Sequence, residues 1–314
     1  MVCEHNHLLD VQNLSVSFRM YENGLEQKEL KVISDLSVSV DRGEILAIAG
    51  SSGSGKSLLA HAVLGILPKN AAVQGTMLYD GKAMTPEYQE RLRGKQIALV
   101  PQSVTYLDPL MRVESQVLGA GGKKSKEKRS ALKNVFGRLQ LDSQAGRMYP
   151  YQLSGGMARR VLVSTAVLSN ADLIIADEPT PGMQTQQAIE TLKIFRELAD
   201  EGKGILLITH DIDLALNFAD KIAVFYAGTT LELTPSKDFL AGEDFLRHPY
   251  SKALWRAMPQ NGFLPLEGTQ PYAESLPEGC LFSPRCAMCD ARCRNGIPEM
   301  RELRGGFVRC FNAT

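Results

Sequence analysis

The chain has 314 residues, 44% apolar and 22% charged, enough for one large domain with an appendage or for two modest domains. Lys plus Arg and Asp plus Glu number 35 each, so global charge makes no case for nucleic acid or anionic lipid as a partner. The longest apolar runs, "ILAIAG", "LIIAD" and "ILLITH", are strand-length and fall far short of the roughly 20 residues of a bilayer span.

The opening "MVCEHNHLLD" lacks the basic-then-apolar pattern of a secretory signal, so a cytosolic protein with reduced thiols is expected. In chain order, "GEILAIAG" (43–50) predicts a buried strand and "SLLAHAVLGIL" (57–67) a helix. The segment from about 103 to 165 is helical in pattern. Within it, "KKSKEKRSALKNVFGRLQL" (123–141) reads as a solvated basic face that becomes amphipathic. "ADLIIAD" (171–177) is a strand before a helix over 185–202, and "GILLITH" (204–210) is a strand before "DIDLALNFAD" and a further strand, "KIAVFYAG" (221–228). Strands alternating with helices imply βαβ units, a mainly parallel sheet and an α/β fold. From about 232 onward Pro, Gly, Cys and Arg become frequent and this rhythm fades, which marks an appended segment.

"GSSGSGKS" (50–57) fits G-x-x-x-x-G-K-[ST] and lies after a strand and before a helix, where a phosphate loop has to be. Gly50, Gly53 and Gly55 permit a tight turn whose N–H groups can face phosphate oxygens, with Ser51, Ser52 and Ser54 filling the loop. Lys56 would reach the β- and γ-phosphates and the Ser57 hydroxyl would ligate Mg²⁺. A second Mg²⁺ ligand is offered by Asp177 at the end of "LIIAD". Glu178 beside it is the candidate base for an attacking water, a role worth about 10²–10⁴-fold.

The tail holds Cys280, Cys286, Cys289, Cys293 and Cys310. A cytosolic setting argues against disulfides. A single Cys-x-x-Cys pair, Cys286 and Cys289, leaves zinc as an alternative, whereas four thiolates at irregular spacings suit a [4Fe–4S] cluster; an unliganded tail is the remaining reading.

"LSGGM" (153–157) resembles the signature of ATP-binding cassette (ABC) ATPases, and other motifs stand in that family's order. Phe18 occupies the adenine-stacking position, Gln102 that of the Q-loop glutamine, and His210 that of the switch histidine. The resemblance covers about residues 8–230. It implies a P-loop NTPase of ABC type: a RecA-like, mainly parallel core sheet, an antiparallel β subdomain and a helical signature subdomain at about 103–165. The cassette would span 8–231 and a small Cys-containing extension 232–314. It further implies that Ser154, Gly155 and Gly156 bind the γ-phosphate of an ATP held by a second cassette. Gln102 would touch Mg²⁺ and the attacking water, and His210 would sense the γ-phosphate.

One position departs from the pattern. After "DEPT" the family carries a loop ending in Asp, and here Gln184 stands at that place. Two readings follow: the chain works beside a non-identical ATPase with two unequal ATP sites, or Gln184 substitutes as a polar group and nothing else changes.

"RHPYSKAL" (247–254) with "GCLFSPRCAMCDARC" (279–293) and Cys310 resembles the C-terminal extension of oligopeptide, dipeptide and nickel importer ATPases. The resemblance assigns Cys280, Cys286, Cys293 and Cys310 to the iron–sulfur cluster and leaves Cys289 spare. It implies an ATPase on the cytoplasmic face of the inner membrane. Its partners would be two permease subunits, which "TYLDPLMRVESQV" (105–117) would face, and an extracytoplasmic solute-binding protein. The cargo would be a peptide, nickel or a metal–chelator complex. The rival readings are a soluble ABC ATPase in nucleic-acid or ribosome-associated work and a degenerate regulatory cassette.

Overall fold

The computed structural model describes residues 7–21, 26–51, 53–119 and 125–314. Its elements in chain order are β1 (Leu9–Tyr21), β2 (Gln27–Val40), β3 (Ile45–Gly50), α1 (Lys56–Leu64), β4 (Ala71–Tyr79), β5 (Lys82–Ala83), α2 (Pro86–Leu92) and β6 (Ile97–Val100). Then come α3 (Val113–Leu118), α4 (Lys126–Arg138), α5 (Gly155–Val167), β7 (Leu173–Asp177), α6 (Thr185–Asp200), β8 (Gly204–Thr209), α7 (Ile212–Leu216), β9 (Lys221–Tyr226) and β10 (Thr229–Pro235). The last are α8 (Ser236–Ala241), α9 (Pro249–Arg256), α10 (Ala291–Asn295), β11 (Arg301–Leu303) and β12 (Gly306–Val308). The chain divides into two compact units, Met1–Asp41 with Leu46–Gln89 and His210–Thr314, and Arg42–Ile45 with Glu90–Thr209.

The first unit contains an antiparallel sheet in the order β2-β1-β4-β5 and a run of strands in the order β11-β12-β10-β9-β3, of which β9 and β3 are parallel. Every residue of β3 is buried, as a two-faced apolar strand must be. The expected helix over 57–67 stops at Leu64, because Gly65 takes a left-handed conformation and its N–H turns back to the carbonyls of Ala62 and His61. Residues 232–314 belong to this unit, and strand pairing continues into them. The β11–β12 hairpin adds to β10 in the register Glu232↔Val308 and Leu233↔Phe307. Strands of three residues carry too little alternation to be read from sequence.

Two clusters of buried polar contacts fasten this extension. Arg247, 2% exposed, donates to Glu232 at 3.3 Å, to Asp238 at 2.9 Å and to Thr234 Oγ1 at 2.7 Å, and also to the carbonyls of Leu303 and Arg304. Such a charge is tolerable inside only because so many of its donors are met. Arg309 reaches back to Asp35 of β2, Nη1 to the carboxylate at 2.7 Å and Nη2 to the carbonyl at 2.9 Å. Asp35 has φ 52°, uncommon for a residue other than glycine.

The second unit carries three parallel strands in the order β8-β7-β6, with β7 and β8 wholly buried. Residues 103–165 hold α3, α4, most of α5 and single 3₁₀ turns, so the helical pattern of that stretch is real. Ser125 caps α4 by accepting from the N–H of Lys128, and Arg160 of α5 is buried with its guanidinium on the carbonyls of Leu139 and Gln140. No helix among the described residues is long and apolar enough to cross a membrane.

Candidate functional site

In the first unit β3 delivers the chain into the phosphate loop. Gly50 pairs with Phe225 across β3 and β9, and a Cβ on it would lie 2.4 Å from the Phe225 carbonyl oxygen, so the strand can end there only in glycine. Gly55, at φ 91°, caps α1, and its carbonyl accepts from Leu58 and Leu59. Lys56 is 6% exposed and its ammonium donates to the carbonyls of Gly50 and Ser51, both at 2.8 Å. Ser54 donates its N–H to the Ser51 carbonyl, while its own hydroxyl is buried without a partner among the described residues. An orphaned hydroxyl in a loop of this composition suits an oxyanion ligand. Ser57 follows Lys56 in the first turn of α1, Gly53 has φ 77°, and Ser52 lies outside the described residues.

Phe18 is half-buried on β1, opposite Leu30 on β2 and Ala71 on β4. His210 is exposed, and Asp211 after it caps α7 by accepting from the N–H of Leu214 at 3.1 Å.

In the second unit Asp177 ends β7 and is 3% exposed. Glu178 then leaves the strand at φ 47°, its N–H held by the Ile208 carbonyl of β8 at 2.9 Å. Its carboxylate accepts from the Gln102 amide at 3.2 Å, and its carbonyl accepts from the Arg159 guanidinium at 2.6 Å. The two motif residues 76 positions apart are therefore in direct contact. A left-handed glutamate fastened on both sides of its peptide is the kind of local strain that collects at functional sites. Arg159 had no sequence signal, because an arginine on an amphipathic helix reads as a solvated face.

Ser154 caps α5, its hydroxyl accepting from the N–H of Met157 at 3.3 Å, with Gly155 opening the helix. A Cβ on Gly156 would lie 3.0 Å from the Gly182 carbonyl oxygen, so the signature turn and the loop after "DEPT" pack backbone to backbone. Gln184 is the N-cap of α6, and its N–H donates to Gln187 Oε1 at 3.4 Å. Asp is a favoured residue at that position of a helix and Gln is not.

The cysteine lobe belongs to the first unit. Cys280, Cys293 and Cys310 are buried, Cys286 and Cys289 half-buried, and all five are free thiols. The Cys280 N–H donates to the Cys293 carbonyl at 2.8 Å, and Asp290 caps α10 through the Cys293 N–H at 3.1 Å. Burial pushes the thiols of Cys280, Cys286, Cys293 and Cys310 up, Cys310 to about 11, and their mutual proximity adds to the shift. Cys280 and Cys293 are joined through their backbones, and the four thiols are of the right chemical kind for iron–sulfur ligation. The gathering expected of a finished site is not there. Among the described residues no three His, Cys, Asp or Glu side chains converge as they would on one metal ion, as zinc with its bonds of about 2.3 Å would require. Thiols held protonated by burial carry no charge and have no ionic reason to close up by themselves.

The site motifs have counterparts in known proteins. The family model for the ABC transporter ATPase matches residues 33–181, and that for the oligopeptide/dipeptide transporter C-terminal region matches residues 231–293. The chain is similar to the dipeptide transport ATP-binding protein DppD of Escherichia coli (strain K12), at 33% identity over 95% of this chain and 94% of that one. It is also similar to the oligopeptide transport ATP-binding protein OppD of the same organism, at 32% identity over 97% and 93%. A dimeric ATP-binding cassette solved with ADP and Pi shares the fold, with a TM-score of 0.63 and 23% identity over 73% of this chain and 98% of that one. With one family model over its cassette region, another over its tail, and relatives above 30% identity along nearly its whole length, the chain belongs to the ABC ATPase family, in its branch of oligopeptide and dipeptide transport ATP-binding subunits.

Proposed function

We propose that this chain hydrolyses ATP to power a multi-subunit importer of dipeptides or oligopeptides, as the names of its relatives suggest. The observation that carries the reading is the Gln102–Glu178 contact, a carboxylate held at the end of a buried strand by an amide that can orient it. Lys56 leaves its resting carbonyls for the β- and γ-phosphates, and the loop N–H groups of residues 53–57 cradle the same oxygens. Ser57, Gln102 and Asp177 would hold Mg²⁺, which supplies charge neutralisation at the phosphates. Glu178 takes a proton from the attacking water, Phe18 stacks on the adenine, and His210 reads the presence of the γ-phosphate.

Ser154, Gly155 and Gly156 serve the ATP of a second cassette, so turnover requires dimer closure, which is passed to two permease subunits at the cytoplasmic face of the inner membrane. Tyr106, Leu110 and Met111, all exposed, supply an apolar surface suited to such subunits. A solute-binding protein delivers the cargo. Gln184 in the cap of α6 favours a non-identical partner ATPase, because it alters the loop expected to cross the dimer interface. Nickel or a metal–chelator complex is the narrower cargo reading, and Gln184 is its only support. Cys280, Cys286, Cys293 and Cys310 would hold a [4Fe–4S] cluster serving as a structural staple; their spacing in the sequence supports it, and iron and sulfide analysis of anaerobically purified protein tests it.

The deciding experiment reconstitutes the chain with its permeases in vesicles and follows ATP-dependent uptake of labelled dipeptide, oligopeptide and Ni²⁺. Uptake of peptide that vanishes in Glu178→Gln is expected. ATP hydrolysis without uptake of any of the three would sink the importer reading.

A further inference from the structure

The phosphate loop is held in place by more than the cassette. Its entry is fixed where Gly50 lies against the Phe225 backbone, and its exit where Gly55 packs beside Ile33, at 3.2 Å for a Cβ built on the glycine. Between these points Ser51 is the organising residue, because its carbonyl accepts from both the Lys56 ammonium and the Ser54 N–H. A side chain from the carboxy-terminal extension reaches it: the Ser51 hydroxyl donates to Gln270 Oε1.

The extension around Gln270 is itself fastened. Tyr250, the second residue of α9 behind the His248 cap, packs in an aromatic cluster, 4.7 Å from Tyr226 and 5.3 Å from Phe282 between ring centroids. Phe282 lies two residues from Cys280. Gln270 follows a segment whose carbonyls at Leu266 and Glu267 accept from Arg285 at 3.1 and 2.9 Å, and the Arg285 guanidinium lies 5.8 Å over the Tyr226 ring. Arg285 and Phe282 belong to the stretch that carries the cysteines. An unbroken series of contacts therefore runs from the cysteine lobe to the loop that would hold the phosphates.

We propose that Gln270 is a positioning residue for the nucleotide. It holds Ser51, and through the Ser51 carbonyl it sets the Lys56 ammonium and the Ser54 turn before ATP arrives. The inference rests on the nucleotide reading above and deepens it: the extension becomes part of the ATP site. The physical gain is preorganisation. A loop with several glycines loses conformational freedom when it wraps a ligand, and a loop already held loses less. Gln270 is placed away from the phosphates, on Ser51, so the effect belongs in affinity for ATP and not in the chemical step.

The test uses the full chain and a fluorescent ATP analogue with Mg²⁺, titrated against wild type, Gln270→Ala, Ser51→Ala and the double variant Ser51→Ala with Gln270→Ala. Each single variant is expected to weaken binding by about two- to tenfold, the range of one hydrogen bond. The double variant is expected to bind as Ser51→Ala does, because the partner is already gone. In the assembled transporter carrying Gln270→Ala, KM for ATP rises by the same factor while kcat stays within about twofold of wild type. Unchanged affinity in Gln270→Ala overturns the inference. So does a Gln270→Ala effect that persists in full on the Ser51→Ala background, since it would then arise elsewhere in the fold. Failure of the wild-type chain to bind the analogue sinks the nucleotide reading itself, and this inference with it.

Discussion

The Gln102 amide donates to the Glu178 carboxylate at 3.2 Å, which couples the second residue after β6 to the first after β7. On the proposed reading Glu178 accepts a proton from water; such a carboxylate needs a fixed direction, and this amide would supply it. Glu178→Gln should lower steady-state ATPase of the assembled complex by about 10²-fold or more. Gln102→Ala should lower it by about tenfold, since the base remains but is no longer held. Nucleotide affinity in Glu178→Gln should stay close to wild type, whereas Gln102→Ala also removes a proposed Mg²⁺ ligand and should weaken it. An unchanged rate in Glu178→Gln would remove Glu178 from the chemistry.

Arg247 offers a test of how the extension is fastened. Arg247→Met keeps the volume and leaves the carboxylates of Glu232 and Asp238 without their cation, Glu232 being 0% exposed. Breaking a buried pair from one side typically costs about 3–5 kcal/mol. Urea denaturation should show a loss of that size, and a loss below about 1 kcal/mol would mean the network is dispensable.

His248 makes stability depend on pH. Its Nδ1 accepts from the Tyr250 N–H at 2.9 Å, and burial pushes the imidazole down from an ordinary 6.5 to about 3. Between those values the unfolded chain takes up a proton that the folded chain refuses. The contribution is whole above pH 6.5 and declines by about 1.4 kcal/mol per pH unit as pH falls through the window. His248→Asn keeps a cap acceptor without the titration. Its stability should therefore fall less steeply than wild type between pH 6.5 and 5, measured by urea denaturation at each pH. Parallel curves would show that His248 is not the group responsible.

Gly279 is a point of close approach within the cysteine lobe. A Cβ there would lie 2.3 Å from the Cys293 carbonyl oxygen, the acceptor of the Cys280 N–H. Gly279→Ala should cost about 1–3 kcal/mol, as overpacking does, and part Cys280 from Cys293. Reaction of the buried thiols with an aromatic disulfide reagent should accelerate in the variant. Identical reaction rates would indicate that the lobe absorbs the methyl without opening.

The elements that carry the proposed nucleotide site were legible because their signals are local. A phosphate loop needs glycines at fixed spacing between an apolar strand and a helix, and β3, α1 and β7 have the period and length that announce them. The position of Gln184 could be read, but its place as the cap of α6 could not, since a cap is identified by backbone geometry. The contact of Ser51 with Gln270 joins residues 219 positions apart through groups that any surface carries, and no local pattern encodes it. Arg247 was equally silent, because sequence assigns arginine to solvent and only the full set of acceptors around it makes burial tolerable. The cysteines were visible one by one. Their arrangement as neighbouring neutral thiols, with no three converging on a single ion, is a matter of packing.

The clasp between Arg309 and Asp35 bears on how the protein is made. The guanidinium that holds Asp35 in its uncommon folded conformation is made 274 residues after it. Synthesis proceeds at about 5–20 residues per second, so Asp35 waits many seconds for this partner. During that interval the β1–β2–β4 ladders can pair without the clasp, and a chain cut before residue 309 would keep those ladders but lack it.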